Sequence, residues 1–100
     1  MPTTLLFERK QRRDSTRVIY EILSVVSDSA TKTQLIFKVN LSHQLAERYI
    51  QFLLNREHIA RTERPNGQVD YSITEKGYRL LRLLRDVENE LGVSSIMVPA

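Results

Sequence analysis

The chain has 100 residues, of which 41% are hydrophobic and 27% charged, as expected for one globular domain. The lack of cysteine excludes disulfides and thiolate metal sites, and three glycines leave no glycine-rich phosphate loop. No apolar run approaches the roughly 18 to 20 residues of a membrane span. The N-terminus lacks the charge order of a secretory signal, so we expect a cytoplasmic location.

The formal net charge of +3 is concentrated in a basic N-terminal arm, residues 1–13, and the start of the next segment. Between Glu8 and Arg17, five basic residues stand against two acidic ones, so the rest of the chain is neutral overall. An arm containing Arg12 and Arg13 suits an anionic partner such as DNA. A solvated tail accounts for the same charges equally well.

The first predicted helix covers residues 14–27. Its apolar residues recur at helical rather than alternating spacing, and Asp14 or Ser15 can accept a hydrogen bond from the first-turn amides. A second helix of about two turns is expected next, with Thr31 or Thr33 as its N-cap.

The second helix is predicted to stop at Asn40, and a third helix to start almost at once after Ser42. Asn40 tolerates the left-handed conformation in which helices commonly end, and Ser42 is a favourable N-cap. The third helix is expected to run to about Asn55. Its expected buried face consists of Leu45, Tyr49, Phe52 and Leu53.

An alternating apolar pattern follows around Asn66-Gly67, a strong β-hairpin signal, and predicts two strands of about seven residues each. Thr74 caps a last helix that ends against Gly92, and Gly77 inside it indicates a close backbone approach. This order predicts a mainly α winged helix-turn-helix fold with a small β-hairpin. The expected divisions are the arm 1–13, the winged helix-turn-helix domain 14–73, a dimerisation helix 74–92 and a tail 93–100.

The run KTQLIFKVNLSHQLAERYIQFLLNREHI, followed by YSITEKGYRLLRLL, resembles the ArnR-like winged helix-turn-helix family of archaea. That family includes small dimeric chromatin-type DNA-binding proteins. The resemblance covers residues 15–91 and is most specific in NLSHQLAERYIQFLL, whereas ITEKG is shared with many winged helices. It implies DNA binding by the third helix and wing, and dimerisation through the last helix. Members of the family are either architectural proteins or transcription regulators.

The polar face of the third helix is the first candidate for DNA contact, because one helix fits the major groove and can hydrogen-bond base edges there. The candidates are Ser42, His43, Gln44, Glu47, Arg48 and Gln51. Glu47 repels phosphate unless it accepts from a cytosine amino group or neutralises Arg48. Any surface helix also presents an exposed polar face, so this pattern alone is not specific.

The wing carries Arg61 and Arg64, with Asn66 in its turn, and arginine is favoured where a wing reaches phosphate or the minor groove. Charges on a hairpin edge also prevent unwanted strand pairing, which is the alternative explanation. Lys32 and Thr33 begin the second helix, whose free amides attract a phosphate, unless Thr33 serves only as a cap.

No metal, cofactor or catalytic site is expected. His43 and His58 have no third ligand at a recognisable spacing. No nucleophile, base and orienting group form a supported arrangement, so the sequence argues against an enzyme.

The last helix has more apolar surface than a single contact covers. Leu80, Leu84, Val87 and Leu91 form a four-three-four seam, which predicts a homodimer through this helix. A monomer whose tail covers the stripe is the alternative. The sequence thus predicts a protein that binds double-stranded DNA as a transcription regulator or nucleoid-associated protein. The other hypothesis is a winged-helix protein-interaction module that does not bind DNA.

Overall fold

The computed structural model describes residues 14–91. Its elements are α1 (Ser15–Val26), α2 (Lys32–Val39), α3 (His43–Asn55), β1 (Ile59–Glu63), β2 (Val69–Ile73) and α4 (Glu75–Leu91). This order confirms the predicted winged helix-turn-helix fold. None of the helices described is long and apolar enough to cross a membrane. The predictions for Arg12, Arg13, Gly92 and the tail 93–100 lie outside the described residues.

Side-chain caps define the starts of the first two helices. The Asp14 carboxylate accepts from the Thr16 amide at 3.3 Å, so Asp14 rather than Ser15 is the N-cap of α1. Thr31 forms a capping box with Gln34: the Thr31 hydroxyl accepts from the Gln34 amide at 3.1 Å, and the Gln34 side chain accepts from the Thr31 amide at 2.9 Å. These reciprocal bonds satisfy two free donors at the helix start.

The corner between α2 and α3 has the predicted construction. Asn40 ends α2 in the left-handed conformation, with φ of 60° and ψ of 56°. The hydroxyl of Ser42 accepts from the Leu45 amide at 3.1 Å and caps α3. Leu41 lies between them and is buried in the core. The chain therefore changes direction within three residues, and both helix ends find partners for their backbone groups.

The core lies between the first three helices and is closed by the hairpin and α4. The largest fully buried side chains are Ile22, Leu23, Val26, Leu35, Val39, Ile50 and Leu53. The strands contribute Ile59 and Tyr71, and α4 contributes Leu81. Full burial of an aliphatic side chain of this size stabilises a fold by about 1.5–3 kcal/mol.

The buried face of α3 differs from the prediction. Ala46, Ile50 and Leu53 are buried, whereas Leu45 and Phe52 are 38% and 46% exposed. The sequence of α3 contains two overlapping apolar stripes, offset by one residue or about 100° of helix rotation. Packing against the core selects the stripe with the small Ala46. The expectation that Leu45 and Phe52 point inward is therefore wrong, whereas Leu53 is buried as predicted and Tyr49 is partly buried against the core.

The hairpin pairs β1 and β2 in antiparallel register from Ile59 opposite Ile73 to Glu63 opposite Val69. Each strand has five residues rather than the expected seven. Residues 64–68 form the tip, where the Gly67 amide donates to the Arg64 carbonyl at 2.8 Å and Gly67 takes a φ of +90°. Proline within this tip has no amide to donate, which is one reason that the strand ladder ends early.

Two contacts place the hairpin against the helices. Ala30, in the loop between α1 and α2, exchanges both backbone hydrogen bonds with Tyr71 at 2.9 and 2.7 Å. Thr74 caps α4 by accepting from the Gly77 amide at 3.0 Å, while its hydroxyl donates to the Glu57 carbonyl at 2.7 Å. A Cβ on Gly77 would lie 2.0 Å from the backbone oxygen of His58, which confirms the predicted close approach.

Candidate nucleic-acid interface

The outer face of α3 carries all the polar residues that the sequence pointed to. Ala46, Ile50 and Leu53 hold the opposite face in the core, so the helix presents its polar side to solvent. The exposed candidates are Ser42, His43, Gln44, Glu47, Arg48 and Gln51. Among them, Ser42 also has a structural role because its hydroxyl caps the helix. The corner and the buried face of α3 therefore fix which of its side chains face solvent.

An ion pair joins the start of α2 to the second turn of α3. The Lys32 ammonium lies 2.8 Å from Oε1 of Glu47, and the two side chains are 38% and 50% exposed. Lys32 lowers the pKa of Glu47, and the Gln51 amide lowers it further. Glu47 in turn raises the pKa of Lys32. The carboxylate is therefore charged near neutral pH, and its partner is Lys32 rather than the Arg48 considered from sequence.

Arg48 borders an open groove of about 320 Å³ between α1 and α3. The other lining residues are Ser15, Ile19, Leu45, Tyr49 and Phe52. The Tyr49 hydroxyl donates to the Ser15 hydroxyl at 3.2 Å and closes one side of this groove. Within residues 14–91, no carboxylate lies within salt-bridge distance of Arg48. Its guanidinium is thus a candidate for contact with an external anion.

In the wing, Arg64 is anchored while half of its side chain stays exposed. Its Nε donates to Oδ2 of Asp70, and the Gln68 side chain donates to Oδ1 of the same residue at 3.0 Å. Hydrogen bonds from Gln68 and Arg64 lower the pKa of Asp70. This arrangement fixes the direction in which the Arg64 guanidinium leaves the hairpin, and it was not anticipated from the sequence.

The other two wing candidates occupy different settings. Arg61 is half exposed and lies 3.9 Å from the Glu63 carboxylate, which is a loose pairing. The Asn66 side chain accepts from the Gln68 amide at 2.9 Å and so shapes the turn. Of these two residues, Arg61 is therefore the more available for an external contact, because the Asn66 side chain stabilises the turn.

The start of α2 resolves the alternatives for Thr33. Because Thr31 forms the capping box, Thr33 is not the N-cap, and its side chain is exposed on the first turn. Lys32 is the first residue of α2 and reaches across to α3. Both residues lie where the free amides of a helix N-terminus favour negative charge.

The two histidines lie in contrasting environments. His43 is exposed at the start of α3, whereas His58 is buried where the chain leaves α3 for β1. The Nδ1 atom of His58 has no hydrogen-bond partner among the residues described. Burial lowers the pKa of His58, and the charges of Lys76 and Arg56 lower it further. In residues 14–91, no group of three potential metal ligands lies close together.

The apolar surface of α4 is divided between the domain and solvent. Leu81 enters the core, and Leu84 lines a groove against α1. Arg17 of α1 pairs with Glu88 on the same side of α4. The aliphatic residues of α4 that stay largely exposed are Leu83, Val87 and Leu91, at 61%, 50% and 64%. Part of the predicted dimer seam is therefore covered by the domain itself, because Leu80 and Leu84 are half-buried.

Sequence reasoning missed the relationships that depend on how the elements pack. Lys32 and Glu47 are 15 residues apart, and nothing in either local pattern indicates their contact. The groove formed by Leu45 and Phe52 was missed because both were assigned to the core. Ala46 and Ile50 also lie on one side of the helix. Assigning that side to the core would have placed Leu45 and Phe52 at the surface.

Comparisons with known proteins agree with this architecture. The uncharacterized protein MJ0290 of Methanocaldococcus jannaschii is 32% identical over 77 residues, covering 76% of this chain and 34% of that protein. The chain therefore spans about a third of the length of this relative.

Two solved structures show the same fold at low sequence identity. Sso10a-2, a DNA-binding protein from Sulfolobus solfataricus, superimposes with a TM-score of 0.69 at 19% identity, over 88% of this chain and 100% of that chain. The adhesin competence repressor AdcR of Streptococcus pyogenes gives 0.67 at 22% identity, over 96% and 73% of the two chains. A winged helix-turn-helix family profile matches residues 12–92. Since that match spans 81 of the 100 residues, the chain belongs to the winged helix-turn-helix family.

Proposed function

We propose that this protein binds double-stranded DNA, with α3 in the major groove and the wing against the adjacent backbone or minor groove. The observation that carries the proposal is the outward polar face of α3, held in place by the corner at Asn40 and Ser42. An α-helix fits the major groove of B-DNA, where base edges present a distinct donor and acceptor pattern. Sso10a-2, which shares the fold, is described as a DNA-binding protein.

Affinity comes mainly from phosphate contacts and selectivity from a few base contacts. Arg48, Arg61 and Arg64 supply guanidinium groups that hydrogen-bond phosphate, and the basic arm with Arg12 and Arg13 adds charge. Gln44 and Gln51 are exposed on α3 and have the amide groups that pair with adenine. The remaining candidate contacts are Lys32, Thr33, Ser42, His43, Glu47 and Asn66.

The active form in this proposal is a homodimer paired through α4. Leu83, Val87 and Leu91 leave an apolar strip on this helix, beside the half-buried Leu80 and Leu84. Pairing two copies through this strip removes it from water and spaces two α3 helices for successive grooves. The resemblance to the ArnR-like family favours an archaeal, cytoplasmic protein that acts as a transcription regulator or a nucleoid-associated protein.

Binding of a fluorescent duplex by the full chain tests this function. The double variant Arg48→Ala and Arg61→Ala should weaken binding about tenfold or more, because each lost phosphate or base contact costs of order 1 kcal/mol. Arg79→Ala with Arg82→Ala removes the same charge from α4 and should leave affinity nearly unchanged. Equal weakening by the two double variants would contradict contact through α3 and the wing.

A second candidate function is that of a protein-interaction module. Phe37 on α2 is 83% exposed, and Phe52 beside the groove is also largely accessible, so apolar surface borders the polar face of α3. Exposed apolar surface is typical of protein contacts. Stoichiometric co-purification of a protein partner, together with no binding to duplex DNA, would favour this function over the first.

A further inference from the structure

Glu47 is the only acidic residue of α3, and it lies on the face assigned to DNA. An acid there disfavours phosphate contact unless its charge has a specific use. The structure gives it a defined setting: the Lys32 ammonium donates to Oε1, and Gln51 lies one turn further along the same face. Half of the Glu47 side chain remains accessible. The carboxylate is thus oriented but not enclosed.

The ion pair has two consequences for a DNA-bound state. Lys32 is neutralised by Glu47, so it contributes little to phosphate attraction while the pair persists. The carboxylate retains free lone pairs after accepting from Lys32 and from the Gln51 amide, because a carboxylate offers about four acceptor sites. A base placed against those sites must supply a donor, since an acceptor there would face an unpaired negative charge.

Base chemistry narrows the choice of partner. In the major groove, cytosine presents its amino group as a donor, whereas guanine and thymine present acceptors at the corresponding edge. Adenine has an amino group beside an acceptor nitrogen, which better suits an amide side chain such as that of Gln44 or Gln51. A carboxylate with no donor of its own is therefore matched to cytosine.

We propose that Glu47 sets the sequence selectivity of this protein: with its carboxylate oriented by Lys32, it accepts from a cytosine amino group and penalises other bases at that position. This inference rests on the proposed DNA-binding function. Selectivity here comes from repulsion of the wrong bases as much as from attraction of the right one. A pair that only joined α2 to α3 would affect stability and leave base preference unchanged.

The test uses the full chain and a pool of duplexes with a randomised central segment, selected for binding and sequenced. The duplexes that the wild type selects should be enriched in cytosine at one position for each α3 helix bound. Glu47→Gln should lose that preference, because an amide both donates and accepts. On a duplex that lacks cytosine at that position, it should bind more tightly than the wild type does, by roughly 5- to 150-fold, the usual penalty of one mismatched position.

The salt dependence of binding and a matched control variant test whether the effect of Glu47→Gln comes from the Lys32–Glu47 pair. In Glu47→Gln, Lys32 becomes available to phosphate, so the slope of log affinity against log salt should steepen by about 0.9. Glu75→Gln is the matched control, because it removes one exposed carboxylate at the start of α4. This variant should keep the wild-type base preference and the wild-type salt slope. A thermal melt of each variant checks that the fold is retained.

The outcomes distinguish this inference from the function on which it rests. If the wild type binds no duplex even at low salt, the proposed function fails and the inference fails with it. If the wild type and Glu47→Gln bind DNA with the same base preference, DNA binding stands and the role of Glu47 is overturned. A wild type that binds without preferring cytosine anywhere also overturns it.

Discussion

Gly77 in α4 lies directly against the backbone of His58, so that a Cβ at position 77 would be 2.0 Å from the His58 carbonyl oxygen. The same carbonyl accepts from the Thr74 amide at 3.1 Å. The end of α3, the base of the hairpin and the start of α4 therefore meet at one backbone contact. This junction positions the wing relative to α3, the helix that we propose contacts DNA.

Replacing Gly77 with alanine should destabilise the protein. Alanine favours a helix by about 1 kcal/mol over glycine, but a backbone oxygen at this distance cannot move aside as a flexible side chain can. Overpacking of this kind costs about 1–3 kcal/mol or more, so we expect a net loss in the free energy of unfolding. Urea denaturation measures it, with the exposed Asn89→Ala as a control. A more stable Gly77→Ala would show that the contact is not rigid.

The buried His58 should make stability depend on pH. Burial, Lys76 and Arg56 lower its pKa in the folded state, so the unfolded chain binds more protons between the folded pKa and about 6.5. Stability should therefore fall as pH drops below about 6.5 and level off below the folded pKa. Denaturation at several pH values should show this loss in the wild type and in His43→Gln, but less of it in His58→Gln. The same pH dependence in all three proteins would contradict the assignment of this loss of stability to His58.

The left-handed backbone at Asn40 predicts how the free energy of unfolding changes when position 40 is alanine or glycine instead of asparagine. Asn40 has a φ of 60°, a conformation that costs most side chains roughly 1–2 kcal/mol and glycine almost nothing. Asn40→Ala should lower the free energy of unfolding by about 1 kcal/mol. Asn40→Gly should change it less, and chemical denaturation compares the two. Equal losses would indicate that the side chain, rather than the backbone conformation, matters at this position.

The proposed dimer through α4 should dissociate when a charge is placed on the exposed apolar strip. Leu83→Asp places a carboxylate at a largely exposed position, so the domain should fold while the dimer dissociates. Leu84 is less suitable because it is half-buried beside α1. Sedimentation at micromolar concentration should give a dimer for the wild type and for Arg82→Asp, and a monomer for Leu83→Asp. A monomeric wild type would refute the proposed assembly.

Features set by neighbouring residues were predictable from the sequence. The caps at Ser42 and Thr74 and the left-handed Asn40 follow from rules that operate within a few residues. A glycine inside a helix indicated the close approach at Gly77, but it did not identify His58 as the contact. The hairpin followed in the same way from its turn signal, although its strands are shorter than expected.

Features set by packing were not predictable in this way. Two apolar stripes on α3 both satisfied helical spacing, and only contact with the core selects Ala46 and Ile50 over Leu45 and Phe52. The Lys32–Glu47 ion pair depends on the angle at which α2 and α3 cross, which the corner sequence does not specify. For the same reason, the true partner of Glu47 could not be chosen from local spacing.

The most direct test of DNA binding is its salt dependence, measured by fluorescence anisotropy of a labelled duplex with the full chain. Released counterions make log affinity fall linearly with log salt, by about 0.9 for each phosphate contacted. We expect a steep decline between roughly 50 and 200 mM salt, and a slope shallower by about 0.9 in Arg48→Ala if that residue contacts phosphate. A flat salt response, or no binding at low salt, would contradict the account.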